Sequence, residues 1–233
     1  MPGPIDCVLL DWAGTLAMPE PDVPWVREAF AAAGTPLGPD EAEALAARLV
    51  AAGRPGGPYP SAVPAELAQA YADRDLDVAT HRRAYVGILS TVVEPAIAEA
   101  LYERVVVPDG WWLYADTLAL LDGLVARGVP AVLASNVGHD LRPVLAAHGV
   151  AQRLAGAVQS YEVGAAKPSA LLFEEAAAVA GVPLERCLMV GDNPTADNGA
   201  AELGARTLLL PMTAAGTVHG LDAVLALVDA ARG

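Results

Sequence analysis

Residues 8–15 read Val-Leu-Leu-Asp-Trp-Ala-Gly-Thr, a run of apolar strand formers that carries Asp11 into a tight turn. A strand this apolar needs cover on both of its faces, which is the condition of a strand inside an α/β core. Further short strand patterns fall at about 131–134, 157–159, 187–190 and 206–210, with helical patterns between them. Alternating β and α units of this kind imply an α/β fold, a mostly parallel sheet with helices on both faces. In such sheets ligands bind outside the carboxyl ends of the strands, where Asp11 falls.

The ends of the apolar runs carry the chemistry. Asp11 is the candidate nucleophile, although Asp-x-x-Gly-Thr alone also reads as a strand followed by a polar turn. Ala131–Ala134 ends in Ser135-Asn136, whose hydroxyl suits a phosphoryl oxygen or, equally, a helix N-cap ahead of Leu141-Arg142. Tyr161-Glu-Val-Gly-Ala-Ala-Lys167-Pro168 sets a lysine just before what reads as a proline-started helix. Cys187-Leu-Met-Val-Gly-Asp192-Asn-Pro-Thr-Ala-Asp197 ends a third buried strand in two carboxylates across a turn.

These four segments, in this order, resemble the haloacid dehalogenase superfamily of hydrolases over most of residues 5–17 and 109–210. The resemblance implies a Rossmann-like sheet and assigns a role to each position. Asp11 would be the nucleophile; Ser135, Asn136 and Lys167 would bind and neutralise the transferring group. Asp11, the carbonyl of Ala13 and Asp192 would hold Mg²⁺, supported by Asp197. A carboxylate attacking an anionic phosphoryl group needs such cations to cancel repulsion and stabilise the equatorial oxygens.

Ala13 departs from that pattern. Phosphatases of the superfamily commonly carry a second aspartate there, which protonates the leaving alkoxide and later activates water. Its loss removes help worth about 10²–10⁴ in rate, so alkyl phosphates should react slowly unless another group substitutes. Glu20, Asp22 and His81 are possible substitutes, though each reads as a solvated surface residue. The Asp-Trp-Ala-Gly-Thr wording is similar to that of phosphonoacetaldehyde hydrolase, whose cap lysine forms a Schiff base. This chain has a single lysine, Lys167, already assigned to phosphate, and arginine is no amine nucleophile. The metal-free dehalogenase branch has no need of the Asp192–Asp197 pair.

A helical block interrupts the α/β pattern. A Pro-rich hinge at Pro19–Pro24 precedes helical patterns at 24–33, 39–52, 65–73, 77–91 and 94–105, and Pro108-Asp-Gly110 marks the return. The expected organisation is a core of residues 1–17 and 108–233, with residues 18–107 as an all-helical cap resembling that of one branch of the superfamily. Residues 53–60 read as a specificity loop or a plain connection, and Trp111, Trp112 and Tyr114 as packing of the hinge on the core. The stretch from Gly216 to Gly233 reads as one last helix.

A net charge of -14 argues against nucleic-acid binding. His81-Arg82-Arg83, the densest basic group, reads as a solvated helix face or an anion contact. No apolar span reaches membrane length and no signal-peptide pattern opens the chain, so the expected setting is cytoplasmic. Cys7 and Cys187 each start an apolar strand and read as core residues. The expectation is a Mg²⁺-dependent phosphatase of a small phosphorylated metabolite working through an aspartyl-phosphate. The alternatives are a phosphate-binding or regulatory protein that has lost turnover and, further off, a C–P or C–halogen hydrolase. Nothing in the sequence sets an oligomeric state.

Overall fold

In the computed structural model, which describes residues 3–232, the chain begins with β1 (Cys7–Leu10) and β2 (Ala17–Pro19). Five helices follow: α1 (Asp22–Ala32), α2 (Pro39–Gly53), α3 (Ala68–Ala72), α4 (Val78–Leu89) and α5 (Pro95–Val106). The remainder alternates: β3 (Trp111–Leu113), α6 (Thr117–Ala126), β4 (Ala131–Ser135), α7 (Arg142–Ala147), β5 (Gly156–Gln159), α8 (Ser160–Val163), α9 (Ala170–Ala180), β6 (Cys187–Gly191), α10 (Gly199–Glu202), β7 (Arg206–Leu209) and α11 (Asp222–Ala230). Residues 1, 2 and 233, which end the two stretches expected to make up the core, lie outside the described residues.

Five strands form one parallel sheet in the order β5-β4-β1-β6-β7. The period of two along β1 sends Val8 and Leu10 to one face and Cys7 and Leu9 to the other. Residues from α6, α7 and α11 cover the first face with Leu121, Leu124, Leu145 and Val228, and α9 covers the second with Leu172, Phe173 and Ala176. The unbroken apolar runs are therefore what a sheet buried on both faces requires. Cys7 pairs in register with Cys187 across β1 and β6, and both thiols are free and buried.

Helices α1, α2, α4 and α5 share a separate core of Trp25, Val26, Ala29, Ala42, Ala46, Leu49, Leu89, Ala98 and Leu101. The four alanines in it let the helix axes approach closely. Trp25 anchors the group by donating its indole N–H to the Leu101 carbonyl at 2.9 Å.

Three local expectations change. The segments read as irregular hinges flank an antiparallel ribbon, β2 with β3, in which Pro19 stands opposite Trp111. A two-stranded ribbon is all edge, so a proline there costs it no shared ladder. The last helix is shorter than the Gly216–Gly233 tail: the Asp116 carboxylate accepts the backbone N–H groups of His219, Gly220 and Leu221, holding that stretch outside α11. Helix α9 starts at Ala170, two residues beyond Pro168, because a turn in which Ser169 N–H donates to Ala166 O comes first.

Candidate active site

The carboxyl ends of β1, β4 and β6, neighbours in the sheet, open on one cavity of about 460 Å³. After β1 the Trp12 carbonyl accepts three N–H groups, from Thr15, Leu16 and Ala17, which closes the turn on Asp11. Gly14 adopts φ +82°, and a Cβ there would lie 2.5 Å from the Asp192 carboxyl carbon. Only glycine gives both the left-handed backbone and the room for that carboxylate. Gly191 makes room for Asp197 without a left-handed backbone, since a Cβ there would lie 2.1 Å from its Oδ2.

Lys167 is the centre of the charge network. Its Nζ lies 2.9 Å from Asp11 Oδ1 and 2.6 Å from Asp197 Oδ1, and its side chain is 1% exposed. Burial works to lower the ammonium, but Asp11 and Asp197 outweigh it and hold the lysine above its ordinary range. Asn136 fixes the lysine backbone at both ends, accepting from Lys167 N–H at 2.7 Å and donating to Lys167 O at 2.9 Å. It lines the cavity beside Ser135, with its amide engaged in positioning Lys167.

Asp197 is fully buried, and both of its oxygens are used: Oδ1 by Lys167, Oδ2 by the N–H groups of Asp192 and Asn193. Asp192 bears the opposite burden. Burial and the charges of Asp11 and Asp197 push its carboxyl up to about 7. Burial likewise pushes Asp11 up, against the pull of Lys167. Asp11, Asp192 and Asp197 each bring one oxygen within 4.8 Å of the others. Three carboxylates so close, with one ammonium among them, make a donor set that fits a hard divalent cation. With Asp197 engaged elsewhere, Asp11 and Asp192 are the carboxylates left to face such an ion.

The opposite wall comes from the helical block. The loop after α2 contributes Arg54, Pro55, Gly56, Gly57, Pro58 and Tyr59, and the Tyr59 hydroxyl accepts from Asn193 Nδ2 at 3.1 Å. Tyr71, Arg74, Asp75, His81 and Tyr85 complete that wall, and His139 meets it from the loop after β4. Helix α4 and the segment that precedes it abut that loop so closely that a Cβ on Gly138 would lie 2.4 Å from both the Arg74 carbonyl and the His81 Cβ.

Two surface expectations are overturned. His81 is buried, with Nδ1 2.8 Å from the Tyr102 hydroxyl and its ring against His139, while Arg82 and Arg83 of the same triplet stay exposed. Burial holds both imidazoles neutral, His139 down at about 4 and His81 well below its usual value. Glu20 is buried too, but in a bidentate pair with Arg104 and away from the cavity. Asp22 is exposed and pairs with Arg54. The sequence reading missed Arg74, Asp75 and His139. Residues 73–77, Asp-Arg-Asp-Leu-Asp, read by themselves as a solvated turn, and His139 has no flanking motif.

A parallel α/β sheet that places a buried carboxylate, an ammonium and a second strand-end carboxylate at its carboxyl edge defines a hydrolase class. The chain belongs to the haloacid dehalogenase-like hydrolases, whose family model matches residues 5–204. It is 38% identical to a phosphoserine phosphatase of Thermus thermophilus over 98 residues, 41% of this chain and 39% of that protein. Matches to curated relatives span between about two fifths and half of those proteins' lengths. Among solved structures it resembles a 2-haloacid dehalogenase of Pseudomonas syringae pv. tomato at TM-score 0.60, with 21% identity, covering 97% of this chain and 99% of that one. A phosphatase of the superfamily from Thermococcus onnurineus aligns at TM-score 0.59, with 19% identity, covering 96% and 97%. Among the described residues no helix is long and apolar enough to cross a membrane.

Proposed function

We propose that this hydrolase is a phosphatase of small phosphorylated metabolites that works through a phosphoryl ester on Asp11. The observation that carries the reading is Lys167 Nζ, bound to Asp11 at 2.9 Å in a cavity that also exposes Asp192. A second carboxylate beside the nucleophile repels an anionic substrate unless a cation sits among them, and phosphoryl transfer uses such a cation. The 38% identity to a phosphoserine phosphatase supports the same choice.

In this reading Asp11 attacks phosphorus, Lys167 neutralises the nonbridging oxygens, and the Ser135 hydroxyl donates to one of them. Mg²⁺ held by Asp11, Asp192 and the Ala13 carbonyl would supply further positive charge for the transferring group. Asp197 positions Lys167 and the 192–193 backbone, and Asn136 positions Lys167 from the other side. Residues 18–107 act as a cap over the core of residues 1–17 and 108–233, excluding water and supplying the substrate contacts.

The test is turnover of p-nitrophenyl phosphate and a panel of small phosphomonoesters with Mg²⁺, beside 2-chloropropionate without metal. Phosphatase activity that vanishes in Asp11→Asn supports the reading, because an amide is a poor nucleophile. Halide release without phosphatase activity overturns it. Ala13 favours a second reading, a phosphate-binding protein without turnover, in which phosphate binds in the Asp11 site and no ester is hydrolysed.

A further inference from the structure

Three carboxylates line the cavity: Asp11, Asp192 and Asp75. The first two have been given the nucleophile and the cation. Asp75 lies between α3 and α4, on the wall facing the ends of the strands. Ser160 Oγ, from the sheet side, donates to the Asp75 carbonyl at 2.5 Å and pins that backbone against the core. The Asp75 carboxylate stands 3.5 Å from Arg74 Nη2 with a fifth of its side chain exposed, and the charge of Lys167 reaches it.

We infer that Asp75 is the acid–base residue of this site, doing from the helical block what Ala13 cannot do from the turn after β1. The assignment rests on the phosphatase reading above. When Asp11 forms its bond to phosphorus and the bond to the leaving oxygen breaks, the Asp75 carboxylic acid gives its proton to that oxygen. A water oxygen then attacks phosphorus, its proton passes to the Asp75 carboxylate, and the bond to Asp11 breaks. Inorganic phosphate leaves, and both aspartates return to their starting states.

The groups around Asp75 fit this use. Burial pushes its carboxyl up, against Arg74 and Lys167, toward a proton that can be both given and taken. His81 and His139 are neutral, so neither holds a proton to spare as an imidazolium. The phenols of Tyr71 and Tyr85 are pushed up by burial, which leaves almost none of either as the phenolate that could take a proton from water.

The test compares Asp75→Asn with the wild type on a series of aryl and alkyl phosphates with Mg²⁺, with acid-quenched labelling of the enzyme by ³²P. The ratio of alkyl to aryl rates does not depend on the folded fraction, so poor folding of the variant cannot imitate the result. Alkyl phosphate turnover should fall about 10²–10⁴-fold. Phosphoryl transfer from p-nitrophenyl phosphate should fall far less, and labelled enzyme should accumulate because its hydrolysis lacks the base. An unchanged ratio without accumulated label overturns the role of Asp75 and leaves the phosphatase reading standing. A wild type that turns over no phosphate ester overturns both.

Discussion

Lys167 occupies a site with no slack. Its ammonium bridges Asp11 and Asp197 at 2.9 and 2.6 Å, and its backbone is gripped by Asn136. A guanidinium is planar and wider, so Lys167→Arg cannot meet both carboxylates in this geometry. Removing one preorganised donor at a reacting oxyanion costs about 10²–10³ in kcat. We expect a loss of that size on any phosphate ester, with circular dichroism unchanged; near-normal turnover by the variant would remove Lys167 from the reaction. The residue's type and position were legible in the sequence. Its partners were not equally so: Asp197 was expected to support the metal site, and it brings an oxygen within 4.8 Å of Asp11 and Asp192, but its bonds to Lys167 and to the 192–193 backbone carried no sequence signal.

At the level of elements, the contact between α4 and the loop after β4 matters most. Gly138 has the Arg74 carbonyl and the His81 Cβ where a side chain would go, and backbone cannot yield as a flexible side chain can. Gly138→Ala should destabilise by about 1–3 kcal/mol. Hydrogen exchange of residues 74–81 should quicken, which separates a loosened contact from a general loss of stability. The two imidazoles at that contact also set a pH dependence. His139 titrates at about 4 when folded and near 6.5 when unfolded, so between those values the unfolded chain binds the proton that the folded chain refuses. The contribution is fully present above pH 6.5 and is lost as pH falls toward 4. The slope is at most about 1.4 kcal/mol per pH unit. Urea unfolding across that window should show a shallower acid slope in His139→Gln, and an identical slope would mean that the ring is accessible to protons in the folded state.

For the whole molecule, the clustered charge of Asp11, Asp192 and Asp197 is a cost that a bound cation relieves. Mg²⁺ at about a hundredfold its Kd should stabilise the fold by about 2.7 kcal/mol. The Tm should therefore rise by several degrees. Asp192→Asn should lose most of that rise while starting from an equal or higher Tm without metal, because one partly buried like charge is gone. A Mg²⁺ response unchanged in Asp192→Asn would place the ion elsewhere. The sequence by itself determined the parallel sheet, the strand-end positions of Asp11, Ser135 and Asp192, and the turn positions of Lys167 and Asp197. Those depend on periods and turns within a few residues, and apolar runs that must be covered on both faces admit few arrangements. Only the tertiary structure decided that His81 and Glu20 are buried, that residues 17–19 pair with 111–113, and that Arg74, Asp75 and His139 line the same cavity as Asp11. Burial of a polar residue is set by what packs against it from far along the chain. Arg74 and Asp75 come from more than sixty residues beyond Asp11, and their local sequence carries only the signature of a solvated turn.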